Sequence, residues 1–243
     1  MDATPALDNA RDVTPVQTLL HLLRLVSQGL PVGGFSYSRG LEAAVHAGWV
    51  RDEQTAHEWI LGTLEANVAQ LDGALFWRMA TVLEAGGQER FGTANAWLAA
   101  GRESREFQRE DRRLGEALLR LLVDLGVPAA RHHQGCDLTY SAAFAIASHH
   151  WRIAPPLALK GLMWVYVEGQ VTAAIRLVPL GHTAGQRILI DAVDAIERAS
   201  ARAQSISDDE IGNLAPALAM AMAMAMAMAS AWHGTQYSHL FQS

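Results

Sequence analysis

The chain has 243 residues, half of them hydrophobic, and its 19 basic against 25 acidic side chains leave a net charge of −6. That acidic balance, with a pI near 5.9, excludes the clustered Lys and Arg stripe that neutralises nucleic-acid phosphates. Cys136 is the single cysteine, which excludes an internal disulfide and, with no apolar leader pattern at the N-terminus, predicts a reducing, cytoplasmic setting.

Residues 1–13 are polar and patternless and read as a mobile arm. Thr14-Pro15-Val16-Gln17 combines an N-cap, a first-turn proline and a capping-box glutamine, so a helix is predicted from there to Ser27 with Leu19, Leu22, Leu23 and Val26 inward. Pro31 and Gly33-Gly34 break it. Ser36 or Ser38 is the expected cap of a short helix ending at Gly48, with Phe35, Tyr37, Leu41, Val45 and Trp49 as an apolar face. Asp52 should cap a helix carrying Trp59, Ile60, Leu64 and Val68, and Asp72 a further one carrying Leu75, Phe76, Met79 and Leu83 up to Gly86-Gly87. After a short helix around Trp97, a helix of about 35 Å is expected from Arg102 to Leu125, stopped by Gly126. Its seam is Phe107, Leu114, Leu118, Leu121 and Leu125. Its first half interleaves Arg102, Arg105, Arg109, Arg112 and Arg113 with Glu103, Glu106, Glu110 and Asp111, which reads as a solvated face.

Helices are also predicted over 140–151, from Pro155-Pro156 towards Pro179, and from Gly181–Thr183 to about Ala203 with Ile188, Leu189, Ile190, Val193 and Ile196. Glu168 and Arg176 lie in apolar surroundings and should pair or face a seam. Ser207-Asp208-Asp209-Glu210 is a second capping-box start. The tract 214–231 is mostly alanine, interrupted by Pro216, and too thin in bulky side chains for a membrane span. Its methionines at 220, 222, 224, 226 and 228 are spread around a favoured helix rather than aligned on one face. No alternating strand or long repeat occurs, so the fold is all-α: a single-domain bundle of about nine to ten helices over residues 14–232, with a tail at 233–243.

Signatures of reaction chemistry are weak. His57-Glu58 opens like a zinc-protease helix motif, but position 61 is Leu rather than His, so the second ligand is missing. His132, His133 and Cys136 are the candidate metal ligands, three within five residues but without a fourth at fixed spacing. The tail carries Tyr237, Leu240 and Phe241, an aromatic and aliphatic cluster of the kind that orders on a partner.

The string Leu-Pro-Val-Gly-Gly-Phe-Ser-Tyr-Ser-Arg-Gly-Leu-Glu at 30–42, followed by Ala-Gly-Trp-Val at 47–50, resembles the opening signature of the urease accessory protein F (UreF) family. Three further segments match in order: Arg102-Glu103-Ser104-Arg105-Glu106, Arg176-Leu177-Val178-Pro179-Leu180-Gly181 with Gln186, and Thr235 to Ser243. The resemblance implies an all-helical homodimer without catalytic activity of its own. It implies a scaffold that bridges urease accessory protein D (or H) and the GTPase accessory protein G, delivers nickel into apo-urease and leaves nickel and GTP to the wider complex. Carried over residue by residue, it marks Pro31, Gly33, Gly34, Tyr37, Gly40, Arg176, Gln236, Tyr237, Leu240 and Phe241 as partner-binding. The family's ending usually reads Tyr-Ser-Arg-Leu-Phe-Arg-Ser, and His239 and Gln242 replace its arginines here, which weakens the ionic half of that contact. The alternatives are a modulator of the partner's GTP hydrolysis using Arg39, Arg105 or Arg176, and a small helical enzyme built on His132, His133 and Cys136.

Overall fold

Thr14 opens the fold as predicted, its hydroxyl accepting from Gln17 N at 3.3 Å while Gln17 Oε1 accepts from Thr14 N at 2.9 Å. The computed structural model describes residues 14–34, 38–102 and 104–212. The expectations for 1–13, Phe35, Ser36, Tyr37, the Ala-Met tract and the tail lie outside them.

Ten α-helices and no strand make up the described residues. They are α1 (Pro15–Val26), α2 (Leu41–His46), α3 (Glu53–Thr63), α4 (Ala74–Glu84) and α5 (Gln88–Ala100). Then come α6 (Arg105–Asp124), α7 (Pro128–His132), α8 (Tyr140–His150), α9 (Pro155–Leu177) and α10 (His182–Ser205). Between α3 and α4 the helix does not stop: the backbone widens to π geometry over Leu64–Gly73. Such segments shift the side-chain register of everything that follows.

The packing follows from which helices are apolar all round. On α9, Leu159, Met163, Tyr166, Val167, Val171 and Ala174 are buried, and α9 touches α1, α2, α3, α4, α8, α10 and the π segment. A helix without a polar stripe has to be central. The alanines of α8 let its residues Tyr140 to Ser148 sink beneath α4 and α6, while His149 and His150 are exposed. Nearly all buried apolar side chains form one continuous core. No helix among the described residues is long and apolar enough to cross a membrane.

Several boundaries differ from the local reading. The cap of α2 is Gly40, at φ +82°, not Ser38. Asp72 caps nothing, because the preceding helix continues through it. Helix α6 begins at Arg105 behind Ser104, whose hydroxyl accepts from Phe107 N at 3.2 Å. Its buried seam is Phe107, Leu114, Leu118, Leu119 and Leu122, while Leu125 is exposed. On α10, Ile188 and Ile196 are buried but Ile190 and Val193 face outward. Glu168 and Arg176 do not pair: they stand eight residues apart on α9, roughly 12 Å along its axis, and no ion pair among the described residues joins them.

The largest departure is α1. Leu22 and Leu25 point inward, whereas Leu19 and Leu23, predicted to be inward, are 49% and 54% exposed beside Val16 and Leu20. Among the described residues α1 is held along one edge, through α9 and through Trp151, on which His21 stacks at 5.4 Å and Arg24 lies at 4.0 Å. Where α1 crosses α9, a Cβ at Gly161 would stand 2.7 Å from Leu22 Cδ1, so the glycine permits the contact.

Candidate functional site

The charge run of α6 supplies the polar centre of the molecule. Phe107, Glu110, Asp111, Leu114 and Leu118 fall at i, i+3, i+4, i+7 and i+11, which puts both acids on the apolar face. They are buried there, not solvated. Burial of a carboxylate demands a partner; Asp111 finds its own nine residues earlier, in Arg102, and Glu110 finds Arg39, 71 positions away. Arg102 donates from Nε and Nη2 to Asp111 Oδ2 at 2.9 and 2.8 Å, and from Nη1 and Nη2 to Asp72 at 2.8 and 2.7 Å. Asp111 Oδ1 also accepts from Tyr140 N at 3.0 Å, which ties the start of α8 to α6. Arg39 Nε donates to Glu110 Oε1 at 3.1 Å.

The π segment is what carries Asp72 to Arg102, and Arg39 is presented by a residue at φ +47°, a left-handed conformation that costs a non-glycine residue free energy. The pairing with Glu110 holds it there. Burial pushes the Glu110 carboxyl up to about 7 against the opposing pull of Arg39. For Asp72 the attraction of Arg102 outweighs burial and the carboxyl is held below its ordinary range.

Above this network opens a cleft of about 90 Å³ between α1, the turn after it, α6 and α9. Leu25, Val26, Leu30, Val32, Leu114, Leu162 and Val165 form apolar walls, and Arg39, Glu110, Tyr166 and Gln170 form a polar floor. Gln170 Nε2 donates to Ser38 O at 2.9 Å, and Gln28 Nε2 to Thr172 Oγ1 at 2.6 Å. Two acceptor atoms of the floor, Glu110 Oε2 and Gln170 Oε1, are buried and meet no donor. Glu168 also lines the cleft, its carboxyl raised by partial burial.

Of the residues marked by resemblance, Gly34 lines this cleft. Gly33 turns the chain above it at φ +78°, and Gly40 starts α2. Pro31 is exposed in the same turn, and Arg176 is exposed in the last turn of α9, one turn beyond Thr172. Tyr37, Gln236, Tyr237, Leu240 and Phe241 lie outside the described residues. The histidine and cysteine candidates do not converge: His132 Nδ1 meets Pro128 O at 3.1 Å, His133 packs on the Phe91 ring at 5.3 Å and Cys136 is exposed. Among the described residues no three His, Cys, Asp or Glu side chains are grouped so as to hold a metal ion. The residues that motif reading missed are Asp72, Arg102, Glu110, Asp111 and Gln170. The spacing of Glu110 and Asp111 within the Phe107–Leu118 stripe was the one local sign of them.

A model of the UreF family matches residues 50–193, a stretch that contains the π segment, α6 and all of α9. A urease accessory protein UreF 2 of Brucella anthropi is 56% identical over 231 residues, 95% of this chain and 98% of that protein. The chain belongs to the UreF family. The urease accessory protein UreF of Alkalilimnicola ehrlichii is 37% identical over 91% of this chain and 94% of that protein. That of Trichormus variabilis is 33% identical over 92% and 95%. Family membership thus spans the whole arrangement, from the turn at 30–40 to α10. These UreF relatives are named as accessory proteins, not as enzymes.

Proposed function

We propose that this chain acts in urease maturation as a non-catalytic scaffold that joins urease accessory protein D or H to the GTPase accessory protein G, working as a homodimer. Nickel is the cargo of that assembly, and GTP belongs to the GTPase. The observation that carries the docking half of this reading is the outer face of α1. Val16, Leu19, Leu20 and Leu23 recur at helical spacing and are 49–65% exposed, whereas a helix of a self-sufficient domain turns such a stripe inward. A contiguous apolar stripe in water is the mark of a surface that another protein covers.

The test is co-purification with the two accessory proteins. Recovery of the complex by the intact chain, and its loss in a Leu20→Asp, Leu23→Asp variant or without residues 234–243, is the expected result. Unchanged recovery by both variants overturns the reading. A modulator of GTP hydrolysis is the second reading. Arg105 and Arg176 are exposed as it requires, while Arg39 is occupied by Glu110. GTP turnover by the partner with and without this chain separates the two.

A further inference from the structure

The cleft floor has hydrogen-bonding groups without partners among the described residues. Arg102 is taken up by Asp72 and Asp111 and Arg39 by one oxygen of Glu110, and the Tyr166 hydroxyl on the same floor is unpartnered. Glu110 Oε2 from α6 and Gln170 Oε1 from α9 both await a donor. The Gln170 amide cannot turn to cure this, because its nitrogen is engaged with Ser38 O.

We infer that the cleft receives the arginine side chain of a partner protein, with its stem between the apolar walls and its guanidinium on Glu110 and Gln170. A void of about 90 Å³, at roughly 15 Å³ for each group of water size, holds roughly six heavy atoms, the number that arginine has beyond Cβ. Guanidinium is weakly hydrated and presents a planar fork of donors, so it leaves water for a half-apolar site more readily than ammonium does. The chain already uses this solution once, with Arg102 held between Asp72 and Asp111. The source is a protein because the cleft adjoins the docking face: Val26, which lines it and is half-buried, stands one helical turn beyond Leu23 on α1. In this respect the inference rests on the scaffold reading above.

N-propylguanidinium chloride, titrated into the full chain and followed by amide NMR, tests the site without any partner. Saturable shifts at Gly169 and the Gln170 side chain are expected, weakened at least fivefold by Glu110→Gln. A Cβ at Gly169 would meet nothing within 4 Å, so Gly169→Leu fills the cleft from an open helical position and should abolish the shifts without touching an ion pair. Absence of saturation, equal shifts from propanol, or binding that survives Gly169→Leu overturns the site. In the co-purification assay, Gly169→Leu or excess N-propylguanidinium should weaken the complex at least tenfold. If the probe binds and is blocked by Gly169→Leu while the complex is unaffected, the site takes a free cation and the partner assignment falls. Failure of the scaffold reading shows separately, as indifference to Leu20→Asp and Leu23→Asp.

Discussion

Arg102 and Asp72, thirty positions apart, meet in a two-pronged pair, Nη1 to Oδ2 at 2.8 Å and Nη2 to Oδ1 at 2.7 Å. Both side chains are almost wholly buried. The contact closes the end of the π segment onto the entry to α6, and the same guanidinium reaches Asp111, so three elements share one charge.

Removing one partner of a buried pair leaves the other charge uncompensated, which costs on the order of 3–5 kcal/mol. Asp72→Ala takes two charged hydrogen bonds from Arg102 but leaves its bonds to Asp111, so it should lower the free energy of unfolding by about 3 kcal/mol, the lower end of that range. Asp52→Ala, at an exposed cap whose carboxylate accepts from Thr55 N at 2.8 Å, should cost markedly less. Urea denaturation of the two variants in parallel checks the difference.

The carboxyl of Glu110 is raised by burial to about 7, so the folded state holds its proton more tightly than the unfolded state does. Between the ordinary glutamate value and pH 7 the native chain binds more protons, and its stability falls as pH rises through that window, then levels off. Glu110→Gln should flatten this slope whatever it does to the absolute stability. Asp72 acts in the opposite sense: its carboxyl is depressed, so its contribution is present above the unfolded value and is lost as pH falls through the folded one. Denaturation midpoints of wild type and Glu110→Gln from pH 5 to 8 read the Glu110 effect.

Gly115 of α6 lies against the segment leading into α8. A Cβ there would sit 2.0 Å from Leu138 O and 2.8 Å from the Thr139 carbonyl carbon, and backbone cannot rotate aside as a side chain can. The segment is also pinned by Asn95, which donates to Asp137 O at 2.9 Å and accepts from Thr139 N at 2.9 Å. Gly115→Ala should cost about 3 kcal/mol or more. Gly92→Ala, at an exposed position of α5 with nothing within 4 Å, should stabilise by about 0.5–1 kcal/mol. Thermal melts of both variants give opposite signs if the packing is as described.

Leu20→Asp with Leu23→Asp should leave unfolding free energy within about 0.5 kcal/mol per site, as exposed positions do, while recovery of the accessory partners falls sharply. In the tail, Phe241→Ala should weaken recruitment more than His239→Ala, because the apolar half of that segment is the half that keeps the family's residues. Pull-down yields from the same preparation compare all three.

What could be read directly from residue order was whatever depends on neighbours within one helical turn. The capping boxes at Thr14 and Ser207, the cap at Asp52, the start at Pro155 and the stop at Gly126, at φ +79°, all stand where expected. So does the all-α class, and the ordered motifs from 30 to 243 were enough to point to the family. Which face of α1 is buried, whether Asp72 ends a helix or runs through one, and whether Glu110 and Asp111 see water were decided only by tertiary structure. The reason is physical: the free energy of a buried charge or an apolar face is set by what lies opposite it. For Asp72 and Glu110 the opposing atoms come from chain 30 and 71 positions away, and Leu23 stays 54% exposed.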